Sequence, residues 1–117
     1  MGLFGKERSP EELCEEARKE QARRAVRAAL KLYLKAADMG HAEAQYECGE
    51  IYSIGHKVPK DLTKALMWYE KAAEQGLARA LRRCAEMYDK GHGTTRDPEK
   101  AKLYFQKAEE AESAGAE

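Results

Sequence analysis

The chain has 117 residues, enough for one domain with a single hydrophobic core. Charged residues make up 36% of it, and 21 Lys and Arg residues balance 21 Asp and Glu residues. A net charge of zero argues against a general binder of nucleic acids or anionic membranes, which usually carries a basic excess. No apolar run approaches the roughly 20 residues that cross a bilayer, so no membrane partner is expected. Three cysteines without a CxxC motif favour a reducing compartment, and the expected location is the cytoplasm.

The first predicted element is a long N-terminal helix. Residues 1–9 are expected to be flexible. Ser9, Pro10 and Glu12 form a capping box with proline at the first helical position, which predicts a helix that begins at Pro10. Because no glycine or proline interrupts the alanine-rich, charged sequence that follows, one long helix is expected over 10–40, ending as the second helix of a partial repeat.

A break around Arg23 is the alternative, and the first segment would then fold back as a degenerate helix. A single helix would instead extend beyond the repeats and leave Leu13, Ala17 and the N-terminal MGLF segment without a covering element. A homodimer formed through the N-terminal helix would cover them.

The remaining elements follow a repeat of 36 residues. Residues 41–76 align with 77–112 without a gap and share 13 identities in 36 positions. A further step back matches Ala29, Leu30 and Tyr33 with Ala65, Leu66 and Tyr69. The chain is therefore predicted to hold about two and a half repeats, namely half of one and then 41–76 and 77–112.

Each full repeat is predicted to contain two antiparallel helices. In the first full repeat, one helix begins near Ala42 and ends at Gly55, which can adopt the left-handed conformation that terminates helices. Asp61 then caps a second helix that Gly76 closes, and Asp97 with Pro98 does the same in the next repeat. One helix pair cannot bury its own apolar stripe, so successive pairs are expected to stack.

The two repeats resemble a known family. The segments AEAQYECGEIYSIGHKVPKDLTKALMWYEKAAEQG and ARALRRCAEMYDKGHGTTRDPEKAKLYFQKAEEAE are similar to Sel-like repeats (SLR), relatives of the tetratricopeptide repeat. The resemblance implies an all-α fold, a right-handed α/α solenoid, and a scaffold or adaptor role without chemistry of its own. Two loop positions depart from the family pattern, where Lys57 replaces a glycine and Thr94 replaces a valine.

The last helix differs from its predecessor on the face that would meet a further repeat. Leu66 and Ala73 are replaced there by Lys102 and Glu109, and a terminal repeat needs a polar outer face. We therefore predict that Lys102 and Glu109 are exposed, that the solenoid ends in this polar cap, and that 113–117 is a disordered tail.

Charged residues on the first helix of each repeat predict contacts between repeats. Stacked helices lie about 8–10 Å apart, so Glu43 can reach Arg79 and Glu47 can reach Arg83. One interpretation is a pair of salt bridges that fixes the packing of the repeats. The other is a face that presents arginines to an acidic partner.

Trp68 lies beside the predicted core stripe, where it serves either as packing or as an anchor for a partner. The candidate partner-binding residues are Tyr46, Glu50, Trp68, Arg79, Arg82, Arg83 and Glu86. We expect them to hold a peptide, a protein or a second copy of the chain in a non-enzymatic interaction or adaptor module.

The alternative function is nucleic-acid binding through Arg-rich helix faces, which include Arg18, Arg23, Arg24 and Arg27. Cys48 and Cys84 share an eight-residue offset to a histidine, but they are mid-helix core positions and a common zinc site is not expected. No catalytic motif, cofactor site or metal site is predicted, and the chain is not expected to be an enzyme.

Overall fold

The computed structural model describes residues 7–115, which form helices without a strand. The six helices are α1 (Pro10–Ala22), α2 (Val26–Asp38), α3 (Ala42–Ile54), α4 (Leu62–Glu74), α5 (Ala78–Lys90) and α6 (Pro98–Gly115). Each helix packs against the helices before and after it in the chain. The all-α class and the stacked helix pairs are as predicted. None of these six helices combines the length and the hydropathy needed to span a bilayer.

The prediction of one long N-terminal helix is wrong, and the alternative with a break near Arg23 is correct. Arg24 adopts a left-handed φ of 64°, and the chain reverses between α1 and α2. The reversal buries Leu13, Cys14 and Ala17 in the core. Burial of this apolar stripe outweighs the roughly 1–2 kcal/mol that a side chain costs in the left-handed region.

The start of α1 is as predicted, but the overhang that favoured a homodimer does not exist. Ser9 Oγ accepts a hydrogen bond from the Glu12 backbone N–H (3.1 Å), and Glu12 Oε1 accepts from the Ser9 N–H (2.8 Å). Ser9 is thus a structured cap rather than part of a flexible segment. Leu13 and Ala17 are covered by the chain itself, and the MGLF segment lies outside the described residues.

Two tyrosines 36 positions apart have equivalent surroundings, as a stacked repeat requires. The Lys64 Nζ lies 5.2 Å from the centroid of the Tyr52 ring, and the Lys100 Nζ lies 4.6 Å from that of Tyr88. The backbone carbonyls of both tyrosines accept from the N–H of the aspartate that caps the next helix, at 2.9 and 2.8 Å. The repeat in the sequence is therefore a repeat in space.

The helix ends follow the predicted chemistry. Gly55 and Gly91 adopt left-handed φ values of 71° and 73° at the ends of α3 and α5. Asp61 and Asp97 each accept a hydrogen bond from the backbone N–H three residues later, at 2.9 and 3.1 Å. These caps fix where α4 and α6 begin.

The last helix is longer than expected. It continues to Gly115, so residues 113–115 are helical rather than disordered, and residues 116 and 117 lie outside the described part. Lys102 and Glu109 are exposed, as predicted, while Ala101 and Ala108 on the opposite face are buried.

Candidate functional site

The first helices of the three hairpins, α1, α3 and α5, carry a continuous set of charged side chains. We call this surface the first-helix face and define it by Arg18, Glu43, Glu47, Glu50, Arg79 and Arg83. The three glutamates lie on one side of α3 because they are spaced i, i+4 and i+7. α5 follows α3 in the stack and brings its arginines alongside them.

Glu43 and Arg79 form the inter-repeat ion pair predicted from the sequence. The Arg79 guanidinium also lies 4.8 Å from the centroid of the Tyr46 ring. Tyr46 is only 8% exposed and packs against Tyr69, with ring centroids 5.7 Å apart. About half of each charged side chain is exposed, so the pair contributes roughly 0–1 kcal/mol and mainly fixes how α5 lies on α3.

The predicted pair between Glu47 and Arg83 is wrong, because Arg83 binds Glu50 instead. Arg83 Nε donates to Glu50 Oε2 at 2.8 Å, and Arg83 Nη1 donates to Glu86 Oε1 at 3.2 Å. The Tyr69 hydroxyl donates to the same Glu50 oxygen at 3.0 Å. Tyr69 thereby orients the Glu50 carboxylate for Arg83, an effect of the buried α4 side chain that helix spacing on α3 does not reveal.

The pKa values of the two carboxylates shift in opposite directions. Burial alone would raise the pKa of Glu50, but the hydrogen bonds from Arg83 and Tyr69 outweigh it and lower that pKa. Burial raises the pKa of Glu47, and the nearby negative charges of Glu50 and Glu43 add to the rise. Within the described residues, Glu47 has no hydrogen-bonded or ion-paired partner of its own.

A groove of about 320 Å³ opens beside Glu47. Its walls come from α1, α3 and α5 and include Glu11, Arg18, His41 and Arg79. His41 Nδ1 lies 3.8 Å from Glu11 Oε2, and Arg18 is exposed. The groove thus combines a half-buried carboxylate with a polar rim that all three hairpins supply.

Arg82 and Trp68 lie apart from this groove. Arg82 forms a two-pronged ion pair with Glu112 of α6, with N–O distances of 2.7 and 2.6 Å. Trp68 is 8% exposed and packs into the core that α1, α2 and α3 form, with Lys71 Nζ 5.8 Å from the centroid of its ring. This burial favours packing as the role of Trp68 and leaves little of the ring for a partner.

Sequence reasoning missed the contribution of α1 to the groove. The loop between α1 and α2 has three residues, Arg23 to Ala25, whereas the corresponding loop between α3 and α4 has seven. A comparison at a constant step of 36 therefore loses register in α1. The signal that could have found it is the apolar spacing of Leu13, Cys14 and Ala17, which marks a buried face of its own.

The three cysteines are free and buried, and burial raises the pKa of each thiol. Cys48 and Cys84 have no exposed surface and lie in the middle of α3 and α5. Residues 7–115 contain no group of three or more His, Cys, Asp or Glu side chains that could hold a metal ion. Arg79, Arg82 and Arg83 are each paired with carboxylates, and nucleic-acid binding stays a prediction.

Comparison with known protein families identifies the repeat from which the chain is built. A sequence model of the Sel1 repeat matches residues 22–41, 42–77 and 78–113. The chain belongs to the Sel1 repeat family. Comparison with curated protein sequences gives no match. Sel1 repeat proteins are generally protein-interaction modules and typically non-enzymatic scaffolds.

Solved structures of Sel1 repeat proteins superpose closely on the chain. A Sel1 repeat protein from Oxalobacter formigenes matches with a TM-score of 0.83 and 29% identity over 87% of this chain and 44% of its own. Protein c5321, a protective antigen of uropathogenic Escherichia coli strains with an SLR fold, matches with a TM-score of 0.80 and 30% identity over 87% of this chain and 23% of its own. Helicobacter pylori cysteine rich protein B shares the fold at a TM-score of 0.71 and 22% identity, over 78% of this chain and 71% of its own. The chain thus spans less than half the length of the first two.

Proposed function

We propose that this Sel1 repeat chain is a non-enzymatic adaptor that binds a segment of a partner protein across its first-helix face. The observation that carries the proposal is the half-buried Glu47 carboxylate, which borders the groove between α1, α3 and α5 without an ion pair among the described residues. A carboxylate in this position loses much of its hydration, and Arg18 and Arg79 offset that loss only in part because neither forms an ion pair with it. A basic side chain from the partner would supply the direct ion pair that Glu47 lacks among the described residues.

The surrounding charges argue for a basic rather than an acidic partner segment. The charges of Arg79 and Arg83 on α5 are already matched, because Arg79 pairs with Glu43 and Arg83 pairs with Glu50 and Glu86. An acidic segment would have to displace these carboxylates before it could use either guanidinium. A basic segment can bind beside Glu47 and leave both ion pairs in place.

The groove also suits a segment that crosses more than one hairpin. Its walls come from three helices, and the Glu43–Arg79 and Glu50–Arg83 pairs hold α3 and α5 at a fixed relation on either side of Glu47. A site that is already ordered loses less conformational entropy when it binds. Three free, buried thiols support a reducing compartment, and we propose the cytoplasm.

The test is affinity capture followed by mass spectrometry with three forms of the chain. Glu47→Gln removes the charge but keeps the shape, and Glu99→Gln makes the same change at an exposed position of α6. We expect proteins captured by the wild type and by Glu99→Gln to be lost with Glu47→Gln, and their basic segments to bind as synthetic peptides. Identical capture by all three forms would refute the role of Glu47, provided that circular dichroism shows each to be folded.

A further inference from the structure

The Gln75 side chain bridges the C-terminal end of α4 and the turn between α2 and α3. We call this place, where one hairpin ends beside the end of the preceding one, a corner. Its Nε2 donates to the carbonyl oxygen of Gly40 at 2.8 Å and to Gln45 Oε1 at 3.0 Å. Gln45 in turn donates from its own Nε2 to the carbonyl of Ala37 at 3.2 Å. Two side-chain amides thus connect the second helices of the first two hairpins and satisfy the carbonyl groups at this corner.

The equivalent corner one repeat later lacks both amides. Ala111 stands 36 positions after Gln75, and Leu81 stands 36 positions after Gln45. Gly76 takes the place of Gly40, but no group within residues 7–115 donates a hydrogen bond to its carbonyl oxygen. A groove of about 600 Å³ occupies this corner, within the roughly 300–1,000 Å³ typical of ligand sites.

The groove, which we call the α4–α6 groove, has an apolar floor and a charged rim. Leu81 and Tyr104 are among the residues that line it, together with Ala73 and Ala111. Its rim carries the exposed carboxylates Glu74 and Glu110 and the exposed ammonium group of Lys107. None of these three rim groups forms an ion pair in the described part of the chain.

This chemistry specifies a long unbranched side chain that ends in cationic N–H donors. The floor accommodates methylene groups, and the exposed Gly76 carbonyl is open to a donor where Gly40 receives one from Gln75. The two rim carboxylates outnumber the one ammonium and favour a positive charge. A guanidinium can donate to a carbonyl and a carboxylate at once and can stack on an aromatic ring, which an ammonium cannot do as well.

We propose that the α4–α6 groove binds an arginine side chain of a partner protein in the place that the Gln75 side chain occupies at the preceding corner. The site shares no residue with the groove beside Glu47 and is built mainly from α4 and α6, with Leu81 of α5 in its floor. It is therefore a second point of contact, independent of the function proposed above.

The probe for this site is n-butylguanidinium, which reproduces the end of an arginine side chain. We expect it to shift the amide NMR signals of residues 73–81 and 104–111 in a saturable manner, with a dissociation constant on the order of millimolar for so small a ligand. n-Butanol lacks the planar cation, and tetramethylammonium lacks N–H donors. Both should bind at least about tenfold more weakly than n-butylguanidinium. Equal binding of n-butanol, or shifts scattered over exposed carboxylates elsewhere, would overturn the proposal.

The matched variant is Ala111→Gln, which places an amide where Gln75 has one. It should fill the groove and weaken n-butylguanidinium binding at least about tenfold. Ala114→Gln makes the same change at an exposed position of α6 and should leave binding unchanged. Glu47→Gln should also leave it unchanged, which separates this site from the first-helix face. Undiminished binding to Ala111→Gln would refute the site.

Discussion

The same substitution is predicted to have opposite effects at two positions one helical turn apart. Glu50→Gln and Glu47→Gln each remove one negative charge with little change in shape. The Glu50 side chain is 20% exposed and accepts hydrogen bonds from Arg83 (2.8 Å) and Tyr69 (3.0 Å). Hydrogen bonds to a charged group contribute about 1.5–3 kcal/mol, and the 43% exposure of Arg83 reduces this. We expect Glu50→Gln to lower the free energy of unfolding by about 1–2 kcal/mol.

Glu47→Gln is expected to stabilise the protein at neutral pH. The Glu47 carboxylate is half-buried without an ion pair of its own among the described residues, and it lies near two other negative charges. Removing its charge relieves the burial cost and the repulsion, and solvent screening keeps the gain below about 1 kcal/mol. The substitution that weakens partner binding should therefore strengthen the fold.

The dependence on pH follows from the direction of each pKa shift. The pKa of Glu50 is lowered in the folded state, so its contribution is present above the unfolded pKa and is lost as pH falls through the folded pKa. The pKa of Glu47 is raised in the folded state, so the folded state binds more protons than the unfolded state. The wild type therefore loses stability as pH rises from the unfolded pKa to the folded pKa of Glu47. Both variants should therefore approach the wild type as pH falls.

The assay is urea denaturation at about pH 7 and in steps down to about pH 3, because the lowered pKa of Glu50 lies below the ordinary Glu value. Glu99→Gln is the control for loss of an exposed charge on α6. Stabilisation by Glu50→Gln at pH 7 would refute the assignment of Arg83 to Glu50, and destabilisation by Glu47→Gln would refute the account of the Glu47 charge. If the difference in the free energy of unfolding between each variant and the wild type does not change with pH, the charge of the glutamate is not the cause of that difference.

Two further predictions concern the loops and the thiols. Lys57 adopts a left-handed φ of 65° where the next repeat has Gly93 at 75°, so Lys57→Gly should raise the free energy of unfolding by about 0.5–1 kcal/mol in urea denaturation. Gly93→Ala should lower the free energy of unfolding by about 2–4 kcal/mol, because the new Cβ would overlap the Leu62 carbonyl oxygen. Equal effects of the two changes would contradict this account. Burial raises the pKa of Cys84 to about 12 and that of Cys48 further, so neither thiol should react with a disulfide reagent until the protein unfolds. Rapid labelling of either thiol in the folded protein would show that α3 or α5 opens locally.

The repeat region could be predicted in detail because its signals are local. Gly55 and Gly91 end helices through their own backbone conformation, and Asp61 and Asp97 cap the next helices through bonds to residues three positions away. A constant spacing of 36 then carries each assignment from one repeat to the next. The ion pair between Glu43 and Arg79 followed from the same spacing.

The candidate site could be predicted only in part, because contacts between helices determine the positions of its side chains. Glu50 binds Arg83 because Tyr69, a buried residue of α4, orients its carboxylate. Trp68 is covered by helices that precede it in the chain. Neither contact follows from the spacing of residues within one helix.

Local signals in the sequence are enough to predict the two helical hairpins of residues 41–112, with their caps and their order. Propensity and capping act within a few turns of chain, and the 36-residue period repeats them. Contacts between helices, and no local signal, make the chain reverse at Arg24 after α1, since neither glycine nor proline marks that reversal. Burial of Leu13, Cys14 and Ala17 against neighbouring helices provides the free energy for a left-handed arginine. The groove beside Glu47 exists for the same reason, because that reversal brings α1 alongside α3.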